Sequence, residues 1–82
     1  MMKKMYAVTI TKLDGIEGKT SFTETIYVRT ADIEKFIDEY IENVIKKIDC
    51  WWMAYPAHYD WDKMSYTEPM RPTYKEIEFI EV

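Results

Sequence analysis

From Ile33 to Ile48 apolar side chains return every three or four residues: Ile33, Phe36, Ile37, Tyr40, Ile41, Val44, Ile45 and Ile48. That spacing puts them on one broad side of a helix, and such a helix is stable only against something that covers the stripe. The stripe is rich in isoleucine, a weaker helix former, so tertiary packing must supply most of its stability. The pattern predicts a helix over 31–49, with Thr30 as N-cap. Asp32 and Glu34 in the first turn and Lys46 and Lys47 in the last complement the helix dipole. Glu42 and Lys46 form an i,i+4 pair on its outer side. A chain of 82 residues has room for one core, and buries only about 60–65% of the surface its unfolded form exposes.

The cover is expected to be a sheet. Residues 4–12 alternate, with Tyr6, Val8 and Ile10 on one face and Ala7, Thr9 and Thr11 on the other. Residues 20–28 place Phe22, Ile26 and Val28 together, with Glu24 interrupting the apolar face. A two-residue turn at Asp14-Gly15 would set Ile10 against Lys19 and Val8 against Ser21, apolar against polar. Pairing Ile10 with Phe22 and Tyr6 with Ile26 matches like with like, and requires a longer loop with Gly18 at a bulge or positive-φ position. Trp51–Tyr55 could form a strand ended by Pro56, but four of its five side chains are large and leave no polar face, and 74–82 reads as a final strand with Ile77 and Phe79 on one face and Ile80 and Val82 on the other. Pro69 and Pro72 mark an extended connection between them. The expectation is a single α+β domain over 1–82: an antiparallel sheet of three or four strands with one amphipathic helix across a face, in ββαβ or ββαββ order, and an aromatic-rich irregular segment at about 50–73.

Charge and cysteine content narrow the classes of function. The net charge is −4, with five basic and three acidic residues in 1–29, and three against six in each of 30–49 and 50–82. An acidic chain is poorly suited to direct contact with nucleic-acid phosphates, whose binding is dominated by Lys and Arg. Cys50 is the single cysteine, so no intrachain disulfide forms, which suits a reducing, cytoplasmic setting. No apolar run approaches the length of a membrane span, and Thr9, Thr11 and Lys12 interrupt the N-terminal apolar run too early for a signal peptide.

The candidate contact residues follow from the same segment that resists assignment. Trp51, Trp52, Tyr55, Tyr59, Trp61 and Tyr66 lie together with Met53 and Met64, a set larger than so small a core absorbs. Tyr and Trp are enriched at binding hot spots, so a second protein, a second copy included, is the expected partner. The alternative reading of these rings is a cover for the second face of the sheet. Stacking of nucleobases is disfavoured because Lys63 and Arg71 are the cations of 49–74.

A second candidate surface is the acidic helix side, Glu34, Asp38, Glu39 and Glu42. Carboxylates four residues apart on a helix are roughly 6 Å apart along the axis, near the phosphate spacing of a DNA strand. The functional alternative is therefore an acidic, nucleic-acid-mimicking inhibitor of a nucleic-acid-handling protein. Small phage-encoded antagonists of host defence enzymes have this size and charge, a likeness of composition alone.

Chemistry is the least favoured class. His58, Asp60 and Asp62 alternate as metal ligands can, but the sequence offers no fourth ligand or supporting group, and neither metal nor cofactor is expected. Cys50 and His58 could form a thiolate–imidazole pair, but a cysteine at a helix C-terminus is poorly placed to ionise, and a small buried side chain is the simpler role. The overall expectation is a non-enzymatic protein-binding module, with a metal- or ligand-binding domain as the second alternative.

Overall fold

The structure, a computed structural model, describes residues 2–14 and 20–80. Two ten-residue strands, β1 (Lys4–Leu13) and β2 (Ser21–Thr30), are followed by helix α1 (Ile33–Tyr40) and a π turn (Ile41–Ile45). A 3-10 turn (Trp51–Met53), the short strands β3 (Tyr59–Asp60) and β4 (Ser65–Tyr66), and β5 (Thr73–Ile77) complete the chain. The class is α+β. The main sheet is antiparallel with spatial order β2-β1-β5, and β3 and β4 pair separately as a small hairpin.

β1 is central because its even residues satisfy one neighbour and its odd residues the other. It runs antiparallel to β2 with Tyr6 opposite Val28, Val8 opposite Ile26 and Ile10 opposite Glu24. The expected pairing of Ile10 with Phe22 and Tyr6 with Ile26 is therefore displaced by two residues. A slip of two keeps every side chain on its own face, which is why the face assignment survives the change. It gathers four apolar residues of the two strands into adjacent pairs, and leaves Glu24 beside the core. Lys12 offsets that by forming an ion pair with Glu24, an interaction that raises the lysine's pKa. The connection is long, closed by the Asp14 N–H donating to Thr20 O at 2.8 Å. The bulge role expected of Gly18 lies outside the described residues.

The helix is capped two residues later than expected. Asp32, not Thr30, is the N-cap, with extended backbone (φ −141°, ψ 92°) and a carboxylate accepting from Lys35 N at 3.1 Å. Thr30 acts one step upstream, its hydroxyl oxygen accepting from Asp32 N at 3.1 Å. The regular helix is also shorter than 31–49, giving way at Ile41 to a π turn in which Lys46 N donates to Ile41 O at 2.9 Å. The buried positions explain the switch. Ile33, Ile37, Ile41 and Ile45 are spaced by four, and at 3.6 residues per turn each such step drifts by roughly 40°. A π turn, closed through i→i+5 bonds, rotates less per residue and brings Ile45 back over the sheet. Val44 and Ile48, expected in the stripe, are each 42% exposed as a result.

Val8 and Ile10 of β1, these four isoleucines and Tyr55 form the buried core, with Tyr6, Ile26, Val28, Phe36, Tyr40, Trp51 and Ala54 packed around it. The core lies on one face of the sheet. The opposite face carries Ala7, Thr9, Thr11, Thr25, Tyr27 and Thr73, and Tyr27 is exposed. The C-terminal strand is shorter than 74–82: Phe79 is partly exposed with the Arg29 guanidinium 5.1 Å above its ring, Ile80 is exposed, and Val82 lies outside the described residues.

The chain between β4 and β5 is extended, as two prolines dictate, and is tied to the helix. Pro69 and Pro72 are buried. Arg71 between them spans Glu34 (2.5 Å) and Asp38 (2.6 Å), and Tyr74 donates its hydroxyl to Glu34 at 2.7 Å. These pairs are solvent-exposed, so they position the segment more than they drive folding. The bonds from Tyr74 and then Arg71 hold the Glu34 carboxyl below its usual 4.5. Its stabilisation is complete above that ordinary value and fades as pH falls through the lower folded-state pKa. Between about pH 5 and about pH 3, the wild-type Tm is expected to drop further than that of Glu34→Gln. Equal drops in the two melts would remove Glu34 as a contributor.

Candidate functional site: an aromatic hairpin

The segment at Trp51–Tyr55 is a 3-10 turn rather than a strand. Cys50 enters it in the left-handed conformation (φ 54°, ψ 45°), and its carbonyl accepts from Met53 N at 2.9 Å. A run of four large side chains in five residues would crowd both faces of a strand, whereas the turn splits them. Tyr55 drops into the core, Trp51 packs against the core edge, and the half-buried Trp52 stacks on Tyr66. The same reversal exposes Cys50, contrary to the buried role expected for it. Among the described residues no hydrogen bond joins Cys50 to His58.

Residues 56–70 then form a hairpin longer than β3 and β4 alone. Met70 N donates to Pro56 O (2.9 Å) and Thr67 N to His58 O (2.8 Å), and Tyr59 and Asp60 pair with Tyr66 and Ser65. The turn between them holds Trp61 to Met64, with Met64 in the left-handed region at φ 53°. Asp60 fixes it: one carboxylate oxygen accepts from both Asp62 N (3.0 Å) and Lys63 N (3.2 Å), the Asx arrangement that substitutes for backbone turn bonds. Asp60→Ala is expected to free these two amides, costing about 1–2 kcal/mol, read as faster hydrogen exchange at Asp62 and Lys63. Asp60→Asn keeps an acceptor oxygen and should retain most of the protection. Unchanged exchange in Asp60→Ala would mean that the turn is held some other way.

The rings of this segment contact one another in sequence from core to tip. Trp51 meets Trp52 edge-on at 5.9 Å, Trp52 stacks on Tyr66 at 5.0 Å with planes 14° apart, Tyr66 meets Tyr59 edge-on at 5.1 Å, and Tyr59 meets Trp61 at 4.8 Å. Such offset and edge contacts contribute about 0.5–1.5 kcal/mol each beyond area burial. Within the row Trp51, Trp52 and Tyr59 are half-buried, Tyr66 is 39% exposed, and Trp61 at the tip is 77% exposed. Met53 and Met64 flank it and are exposed. Five of the six aromatic residues expected to meet a partner thus form one row; Tyr55 is the exception, taken into the core. At the foot of the hairpin an open pocket of about 480 Å³ is lined by Leu13, Pro56, Ala57, His58, Glu68 and Met70.

The acidic helix side is drawn largely into internal pairs. Glu34 and Asp38 share Arg71, and Glu42 shares Lys46 with Glu68 (2.9 and 2.6 Å). These bonds raise the Lys46 and Arg71 pKa values, led by Glu42 and by Asp38 respectively. Glu39 is the remaining carboxylate of the four expected there. Among the described residues no group of three His, Cys, Asp or Glu side chains is placed to hold a metal ion, and Asp60 is occupied by the turn. Sequence reasoning missed the roles of Arg71 and Asp60; the Asp60–Lys63 spacing at a turn was the available signal for the second. Compared with protein-family models, curated proteins and solved structures, the chain finds no match. No helix among the described residues is long and apolar enough to cross a membrane.

Proposed function

We propose that this protein is a small non-enzymatic protein-binding module whose contact surface is the aromatic hairpin. The observation that carries the reading is Trp61, 77% exposed at the tip of a turn that Asp60 holds in one shape. A large ring on a pre-formed turn loses little conformational freedom on docking, and so suits the anchor of an interface. Tyr59 and Tyr66 behind it, with Met64 in the same turn, supply an apolar surround. The partner is another protein, presenting an apolar recess with hydrogen-bond acceptors at its rim for the indole and phenol groups. The acidic-mimic reading has less support, because three of the four carboxylates on which it rests are held in ion pairs with Arg71 and Lys46, which offset part of their charge.

The test is affinity capture from lysate of the source cell or its host, washed at low and high salt, with wild type and Trp61→Ala as baits. The reading expects a protein that survives high salt and is lost from Trp61→Ala while that variant keeps its far-UV spectrum. Capture that is abolished by salt and indifferent to Trp61 would favour electrostatic mimicry instead.

A further inference from the structure

We infer that a second copy of this chain adds to the β2 edge of the sheet, antiparallel and centred on Thr25, to give a continuous six-stranded sheet. The inference is independent of the hairpin reading. β2 and β5 are both edges, but they are treated differently. β5 is five residues long, follows Pro72, and carries Lys75 and Glu76, all features that discourage pairing with another strand. β2 is ten residues long, Ser-Phe-Thr-Glu-Thr-Ile-Tyr-Val-Arg-Thr, with no proline, glycine or lysine. In the β1–β2 register the Asp14–Thr20 bond is in phase with the even residues of β2. The alternation of an antiparallel ladder then turns the N–H and C=O of Ser21, Thr23, Thr25 and Tyr27 toward the open edge. Among the described residues no strand pairs with them.

The occupant is argued from self-complementarity and area. A two-fold axis perpendicular to the sheet pairs residues of like face, and it satisfies the edge of both copies with one contact. Centring it on Thr25 sets Phe22 against Val28 of the partner subunit and Tyr27 against Thr23 of the partner subunit. Phe22 is 53% exposed and Tyr27 69% exposed, so the pairing covers both aromatics with β-branched neighbours, favourable cross-strand combinations. It opposes no like charges across the axis, and Glu24 already has Lys12. The free chain also exposes 6450 Å², whereas a compact monomer of its mass exposes about 5200 Å². The excess, about 1250 Å² over the whole chain, exceeds the roughly 800 Å² that each partner contributes to a stable interface, so the edge need account for only part of it.

The experiment is sedimentation equilibrium of the full chain at about 100 μM (a range that resolves Kd values in the micromolar range), with two variants, and oxidative cross-linking of two cysteine variants. Wild type is expected at twice the 9.9 kDa chain mass. Thr25→Lys brings two ammonium groups together at the axis and should be monomeric, with an unchanged far-UV spectrum. Trp61→Ala should remain dimeric. In a Cys50→Ser background, Thr25→Cys should cross-link on oxidation, because residues facing each other in a hydrogen-bonded antiparallel pair lie about 5.5 Å apart, within disulfide reach. Thr23→Cys should not, since its two copies are offset by roughly 13 Å. A monomeric wild type would leave the edge to a strand of another protein, and would overturn the inference. So would a dimer that survives Thr25→Lys, or one lost in Trp61→Ala.

Discussion

Ile37→Ala is expected to lower the unfolding free energy by about 3–4 kcal/mol, within the 2–5 observed for removing a buried isoleucine side chain to Cβ. Ile37 is fully buried, in the middle of the row Ile33, Ile37, Ile41, Ile45 that closes over Val8 and Ile10. A domain of this length has a total stability of only about 4–12 kcal/mol, so one cavity removes a large share of it. Urea unfolding should show a lower midpoint at nearly unchanged slope, as a change in stability without a change in exposed area requires. Val44→Ala, on the same stretch but 42% exposed, should lose far less. If the two variants lost equal stability, the helix would not be seated on the sheet as described.

Tyr55→Ala is expected to cost about 3–5 kcal/mol, the range for deleting a buried aromatic ring, while Trp61→Ala, which loses the edge contact with Tyr59, costs only about 0.5–1.5 kcal/mol. The two residues belong to one aromatic run in the sequence, but Tyr55 is 5% and Trp61 77% exposed. Tyr55 also stands where the hairpin joins the core, next to Ala54, whose carbonyl accepts from Leu13 N at 2.9 Å. Its loss should therefore loosen the hairpin as well as the core. Near-UV circular dichroism from the Trp52–Tyr66 stack should weaken in Tyr55→Ala and persist in Trp61→Ala. A destabilisation by Trp61→Ala as large as that by Tyr55→Ala would place the tip inside the packed structure and contradict its role as a contact surface.

These two residues mark the limit of what pattern alone can separate. Helical and strand periods report which side chains share a face, and on that basis Tyr6, Val8 and Ile10, and the isoleucines at 33, 37, 41 and 45, were legible as core. The run 51–66 has no period, so composition identified its rings as a group without dividing core from surface. The division came from a chain reversal at Cys50, whose left-handed backbone nothing in its side chain announces. The β1–β2 register was misjudged for a related reason. Matching like with like counted Phe22 as core, whereas the register sacrifices Phe22 to seat Val28 against Tyr6 and lets Lys12 neutralise Glu24.

The acidic helix side shows the same division. Its carboxylates lie at helical spacing, which the sequence displays. Their pairing with Arg71 joins residues more than thirty positions apart in the chain, which no local spacing encodes.

By itself, then, the sequence determined the class of the fold, its single core, and the identity of the helix and the two long strands, because burial of apolar faces is set by short-range periodicity. The tertiary structure decided which of the aromatic residues remain exposed, which carboxylates are drawn into ion pairs, and which strands form the edges of the sheet. Each of those depends on a neighbour distant in sequence, and proximity in space is created only when the chain has folded.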